Sequence, residues 1–319
     1  MFLSHRKASL LNKVQASAGH TLGDMASSVF QGLITGADSV YILEDRGPSS
    51  SQLRNVFSRA ESREFELEAS LLKPLLSGTH VARYSVRRTS NLLLFPYELH
   101  ADHAVPIPSA EFVHRFPRIW AYLDGHRKAL EARDRGKMAH DLWYTFVRTQ
   151  SLALHQYTKL AIPRLVQDLQ AYYDEDGSFY LDNVDVGGVL LKEGARENYL
   201  YALALLNSQL LNFCFRQISV PFRGGFRSAN RQFISPLPIK AVDPANPKDK
   251  ACHDQLLALV QRMLDLHQRL PAKGNVRDEE RAHIEREIAR TDREIDDLVY
   301  DLYGLTAAER DLVEREMAR

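Results

Sequence analysis

The sequence predicts an α+β fold, with a mixed sheet-and-helix domain over residues 1–243 followed by a C-terminal antiparallel helical hairpin and tail over residues 249–319. Three observations carry this expectation. Short β-branched and aromatic runs punctuated by Gly and Pro fill Ser28–Leu43 and Val81–Glu98. Glu197–Ile218 is apolar on more than one helical face, as a buried helix is. Beyond the linker Ala241–Lys250, rich in Pro, Asp and Lys, two stretches repeat apolar residues with a helical period.

Taken in order, Ser28–Leu43 reads as two strands joined by a tight turn at Ala37-Asp38. Gln52–Leu76 reads as helical or irregular, closed by Pro74. Arg83–Val86 and Leu92–Tyr97 read as a hairpin around the polar turn Arg87–Asn91. Phe112, Phe116, Ile119, Trp120, Leu123 and Leu130 fit a helix over Ser109–Glu131, with Ser109 as its N-cap. Asp174–Gly177 is a turn before Phe179-Tyr180-Leu181. Arg216 lies near the C-terminal end of the 197–218 helix, where a cation suits the dipole. Five Pro and Gly residues keep Pro221–Ile239 from forming a regular element. Leu256, Val260, Met263 and Leu264 mark one tail helix and Ile284, Ile288, Ile295 and Val299 a second, joined by a loop with Pro271 and Gly274. Gly304 ends the second, and Thr306 with Glu309 forms a capping box that starts a short last helix.

Lys plus Arg and Asp plus Glu both number 41, but the balance is uneven. The chain from Lys250 onward is net −4 and the body before it net +4. Between Tyr199 and Lys240 there are five basic residues and no Asp or Glu. The two cysteines, Cys214 and Cys252, fit neither a disulfide framework nor a zinc site and suit a reducing cytoplasm. No apolar run approaches the length of a membrane span, and the N-terminus lacks a signal-peptide hydrophobic region.

Catalytic motifs are missing. There is no P-loop, G-x-G-x-x-G, G-x-S-x-G or H-E-x-x-H, and no Asp or Glu lies two residues before a Lys, a spacing used by many metal-dependent nucleases. Leu94-Phe95-Pro96-Tyr97 lacks the amide or carboxylate with which an amino-methylating loop holds its target nitrogen. The expectation is therefore a chain with no catalytic residues, cofactor or metal of its own. What it does contain is an alternation of aromatics and arginines over Phe213–Leu237, including Arg216, Phe222, Arg223, Phe226, Arg227, Arg231 and Phe233. Arginine pairs with phosphates or guanine edges, aromatics stack or wedge at bases, and Gly224 and Gly225 let backbone amides approach a phosphate. Core aromatics, solvated arginines and a glycine turn would explain the same residues.

The run Tyr201–Ile239, containing ALLNSQLLNFCFRQIS, FRGGFRSANRQFI and PLPI, resembles the end of the TaqI-like C-terminal specificity domain. In order along the chain, Gln31–Asp38, Leu71–Gly78 with Arg83-Tyr84, Leu94–Tyr97, Trp143-Tyr144, Asp176–Tyr180 and Glu294–Thr306 extend the resemblance. It implies the target-recognition module of adenine-specific DNA methyltransferases and type IIG restriction-modification enzymes. Such a module docks on double-stranded DNA and chooses the sequence, while a catalytic domain or subunit binds S-adenosylmethionine and methylates adenine. That domain normally precedes this one. Because the sequence begins at Met1, shortly before Gln31–Gly36, the family's cofactor and catalytic motifs have no room in it, and the expectation is either a fragment or shortened gene product or a separate specificity subunit with a catalytic partner. Under this resemblance Arg223, Arg227 and Arg231 lead the candidate DNA contacts, with Arg216, Gly224, Gly225 and Phe226 beside them. Thr35, in the turn Thr35–Asp38, is a second candidate that turn chemistry explains equally well. Arg83, Arg87 and Arg88 form a third, with a solvated hairpin tip as the alternative. The acidic tail helices suit an intramolecular prop or subunit contact better than a phosphate surface. The rival function is an assembly subunit that docks through the C-terminal hairpin and binds no DNA.

Overall fold

The computed structural model describes residues 5–182, 185–243, 245–270 and 278–318. Its sheets and helices form the expected α+β arrangement. A six-stranded sheet runs in the spatial order Tyr180–Leu181, Leu72–Leu76, Asn91–Leu94, Ile42–Pro48, Leu53–Ser58 and Arg63–Glu68, parallel only in its first pair. A four-stranded antiparallel sheet runs Tyr172–Asp174, Lys159–Pro163, Val186–Leu191 and Ala26–Gln31.

Several local expectations change. The strands Ala26–Gln31 and Ile42–Pro48 lie in different sheets, separated by the helical turn Asp38–Tyr41, so they are not a hairpin. The 53–76 segment is mainly three strands, Leu53–Ser58, Arg63–Glu68 and Leu72–Leu76, with a single 3-10 turn at Ala69–Leu71. In Arg63–Glu68 the charges alternate with Phe65 and Leu67, a period of two that turns Leu67 into the core while Glu64 stays at the surface. Pro74 lies inside a strand, beside the short neighbour that pairs only from Leu75 onward, where a missing N–H is tolerated. Val81–Ala82 turns directly onto Ser85–Val86, with Tyr84 at positive φ, and Asn91–Leu94 pairs elsewhere. The 109–131 region is three short helices, broken at Phe116-Pro117 and His126, and Pro108 rather than Ser109 holds the first N-cap position. Ser208 caps a second helix and so divides the long buried one into Arg196–Asn207 and Gln209–Ile218. The expected Pro271–Gly274 loop lies outside the described residues.

The two sheets join at Gly32, whose N–H donates to Val186 O, and at Leu33, whose N–H donates to Leu181 O at 2.8 Å. A Cβ on Gly32 would meet the Asp182 backbone at 2.4 Å, so this close approach requires glycine. On the six-stranded sheet an aromatic cluster gathers Tyr41, Phe95, Phe112, Trp143, Tyr144 and Phe146. A second core is centred on the 196–218 helices and includes Leu256, Val260, Met263, Ile295 and Val299 from the tail, and Leu10 and Val14 from the N-terminal helix His5–Ala18. Pro247–Arg269 and Asp278–Leu302 are antiparallel: Arg262 pairs with Glu287, and the Cys252 thiol lies against Leu298 O. The capping box at Thr306 and Glu309 forms as read. Among the described residues no helix is long and apolar enough to cross a membrane.

Candidate nucleic-acid interface

The antiparallel register of the four-stranded sheet brings Pro163 opposite Val186 and Gly187 opposite Gln31, so all four reach one end together. Arg164 follows Pro163 there. Its N–H donates to Asp185 O at 2.7 Å, and its carbonyl accepts Ala229 N–H at 2.8 Å, which fastens the segment 227–231 alongside. Arg148 reaches the same end through its backbone bond to Ile34 O. The result is a cavity of about 460 Å³ whose lining includes Arg148, Arg164, Arg231, Gln31, Gln150 and Asn230 and, among the described residues, no Asp or Glu. Arg231 is exposed. Asn230 stands at the N-cap of the turn Arg231–Ile234, yet its side chain makes no capping bond, and its buried Oδ1 has no hydrogen-bond partner. Arginine residues from three separate segments line one cavity, a lining that favours an anionic ligand, and an unfilled acceptor suits an external donor.

Beside this cavity the chain projects a loop. Leu165 pairs with Ser228 and Val166 with Arg227, while Phe222 N–H donates to Phe226 O at 2.6 Å and closes the tip. Gly224 and Gly225, at φ +76° and +78°, make the reversal in a region that other residues rarely adopt. The Arg227 Nη1 donates to Ser219 O at 2.8 Å and ties the base of the loop. Burial first, and then the neighbouring Arg216 cation, draw the Arg227 guanidinium pKa below its ordinary value.

The residues singled out from the sequence divide into two groups. Arg231 lines the cavity; Gly224, Gly225 and Phe226 are exposed at the loop tip, and Arg227 is half-buried at its base. The Arg223 side chain lies outside what the structure describes. Arg87 and Arg88 are exposed, and among the described residues neither side chain forms a hydrogen bond or ion pair. The other three are bound to the protein itself. Arg216 donates to both oxygens of Asp168 at 2.7 and 3.0 Å and to Glu316 O at 2.6 Å. Arg83 grips Asp292 and donates to Asn207 O. Thr35 is 2% exposed; its hydroxyl donates to Asp38 and accepts Ala37 N–H, and its carbonyl accepts the buried Arg133. Their polar atoms therefore hold elements together. The reading of the sequence passed over Arg148, Arg164 and Asn230. One signal was present: no Asp or Glu occurs from Leu142 to Gln167, a second acid-free run beside the first.

A family model, the TaqI-like C-terminal specificity domain, matches residues 73–239, more than half of the chain. The chain belongs to this family. The matched part of the TaqI-like specificity domain takes in Arg148, Arg164, the projecting loop and Arg231. Over 314 residues, 94% of its length, the chain is 19% identical to the Type II restriction enzyme and methyltransferase RM.Eco57I of Escherichia coli, of which it spans 31%. The solved structure of the Type IIL restriction-modification enzyme MmeI, in complex with DNA, superposes over 94% of the chain and 37% of its own, with a TM-score of 0.55 at 13% identity, which shows a shared fold. The type IIG restriction endonuclease BpuSI matches at a TM-score of 0.43 and 13% identity, over 94% of this chain and 34% of its own. The TaqI-like specificity domain and its flanks thus span about a third of the length of these proteins.

Proposed function

We propose that this chain is the DNA target-recognition module of an adenine-methylating restriction-modification system, holding a separate catalytic domain or subunit on its site. The observation that carries this reading is the acid-free cavity lined by Arg148, Arg164 and Arg231, next to a projecting loop, in a chain of the specificity-domain family. A duplex backbone offers phosphates to such a cavity, and base edges are then read from side chains held in register. In this reading residues 1–243 do the recognition and 249–319 act as an intramolecular prop. S-adenosylmethionine belongs to the catalytic partner, double-stranded DNA is the ligand, and the cytoplasm is the compartment. The assembly-subunit alternative called for an exposed apolar stripe on the tail helices. Leu256, Val260, Met263, Leu266, Ile284, Ile295 and Val299 are instead buried.

The test is selection of duplexes from a randomised pool by the purified chain at about 50 and 200 mM salt, alone and with a methyltransferase encoded beside it. Enrichment of a short sequence that weakens with salt is the expected result. Absence of binding at the lower salt in both settings overturns the proposal.

A further inference from the structure

Among the described residues, the exposed large hydrophobic side chains include just two phenylalanines, and both belong to the projecting loop: Phe222 is 55% exposed and Phe226 39%. Val220, 57% exposed, is in the same loop, and Leu165, 56% exposed, is paired with Ser228 at its base. Such side chains normally retreat into a core or meet a partner. The loop cannot collapse inward easily. Pro221 and Arg227 form a backbone bridge, the Phe222 N–H is bonded to Phe226 O, and Arg227 is tied to Ser219 O. The two rings are thus presented in advance on a short, closed turn, with little ordering left to do on binding. What lies next to them identifies the occupant. The same strand leads through Ala229 and Asn230 to Arg231 and the acid-free cavity, a surface suited to an anionic backbone.

We propose that Phe222 and Phe226 form an apolar wedge that enters the bound duplex between neighbouring base pairs and unstacks that step while the arginine cavity holds the flanking phosphates. This rests on the DNA-recognition reading above and adds a deformation of the duplex to it. Wedges of this kind exchange base stacking for a bent DNA that meets more protein surface.

The test uses the full chain and a mixed-sequence duplex carrying 2-aminopurine at one position after another, with binding followed by anisotropy in the same samples. Unstacking raises 2-aminopurine fluorescence, and a rise confined to one or two neighbouring positions is expected. At protein concentrations that saturate the duplex by anisotropy, the Phe222→Ala/Phe226→Ala double variant should lose that rise whatever its affinity, and Phe222→Leu/Phe226→Leu should restore most of it, since apolar bulk is what the wedge supplies. Both rings are on the surface, so an unchanged melting temperature should accompany the loss. Binding without any rise, or a rise that survives in the alanine variant, overturns the wedge and leaves the recognition reading standing. Failure of the wild-type chain to bind any duplex at low salt overturns both.

Discussion

Arg83 and Asp292 are joined by a two-pronged ion pair, Nη1 to Oδ2 at 2.9 Å and Nη2 to Oδ1 at 2.5 Å. Arg83 stands at the tight turn between Val81–Ala82 and Ser85–Val86, and Asp292 lies on the long tail helix. The same guanidinium donates to Asn207 O, at the C-terminal end of the 196–207 helix. One side chain therefore fastens three elements.

Removing either partner leaves the other's charge half-buried without its counter-ion, which costs more than the net value of the pair. Arg83→Ala and Asp292→Ala should each lower unfolding stability by about 1–3 kcal/mol. The double variant should lose much less than the sum, because the pair is lost only once. Urea unfolding of the four proteins gives the coupling, and simple additivity would mean that the pair contributes nothing.

Arg216 offers a contrast with Arg231. Arg216→Ala breaks three bonds, two of them to Asp168, and should destabilise the fold by about 2 kcal/mol while leaving duplex affinity at low temperature nearly unchanged. Circular dichroism melts and anisotropy titrations on one preparation separate the two effects.

Arg231→Ala should do the opposite. The side chain is exposed in the cavity wall, so stability should hold while binding weakens on all duplexes and the slope of log affinity against log salt falls by about one. A loss restricted to one target sequence would instead place Arg231 at a base edge.

Asp296, a buried residue of the tail helix Asp278–Leu302, accepts Gln209 N–H and Gln209 Nε2, both at 2.8 Å. Burial raises its pKa to about 6 against these bonds. A carboxyl group raised on folding favours the native state most below its unfolded pKa, and that contribution fades as pH climbs through the folded value. Stability attributable to Asp296 should therefore fall between about pH 4 and 6, by up to roughly 3 kcal/mol. In Asp296→Asn this part of the pH dependence should vanish, as read from chemical denaturation at pH 4, 5, 6 and 7. An unchanged slope would assign the effect to other carboxylates.

Gly32→Ala should be poorly tolerated, because the added methyl meets Asp182 backbone at the seam of the two sheets. Urea unfolding should show a loss of about 2 kcal/mol or more, whereas Gly125→Ala, at a helical position with nothing within 4 Å, should be neutral or slightly stabilising.

Elements with a strong local pattern were legible in the sequence. The 196–218 helices show it in their all-round apolar character, the tail helices in their amphipathic period, and Thr306 with Glu309 in a capping box that closes within three residues. Phe226, Gly224, Gly225 and Arg231 stood out because aromatics, glycines and arginines alternate where no acid occurs. The strands 53–58 and 63–68 were harder, since charges on their outer face hide the alternation that the sheet makes plain.

By itself the sequence determined which segments could bury a face, where caps and turns fall, and that positive charge gathers in the body of the chain. Only the tertiary structure decided which arginines come together around one cavity. Arg83 meets a carboxylate 209 positions away and Arg216 one 48 positions away, while Arg164, placed by sheet register, and Arg148, placed by its backbone bond to Ile34 O, line one cavity with Arg231. Periodicity and propensity act over a few residues, whereas the partner of a guanidinium is set by long-range packing that only the folded chain supplies.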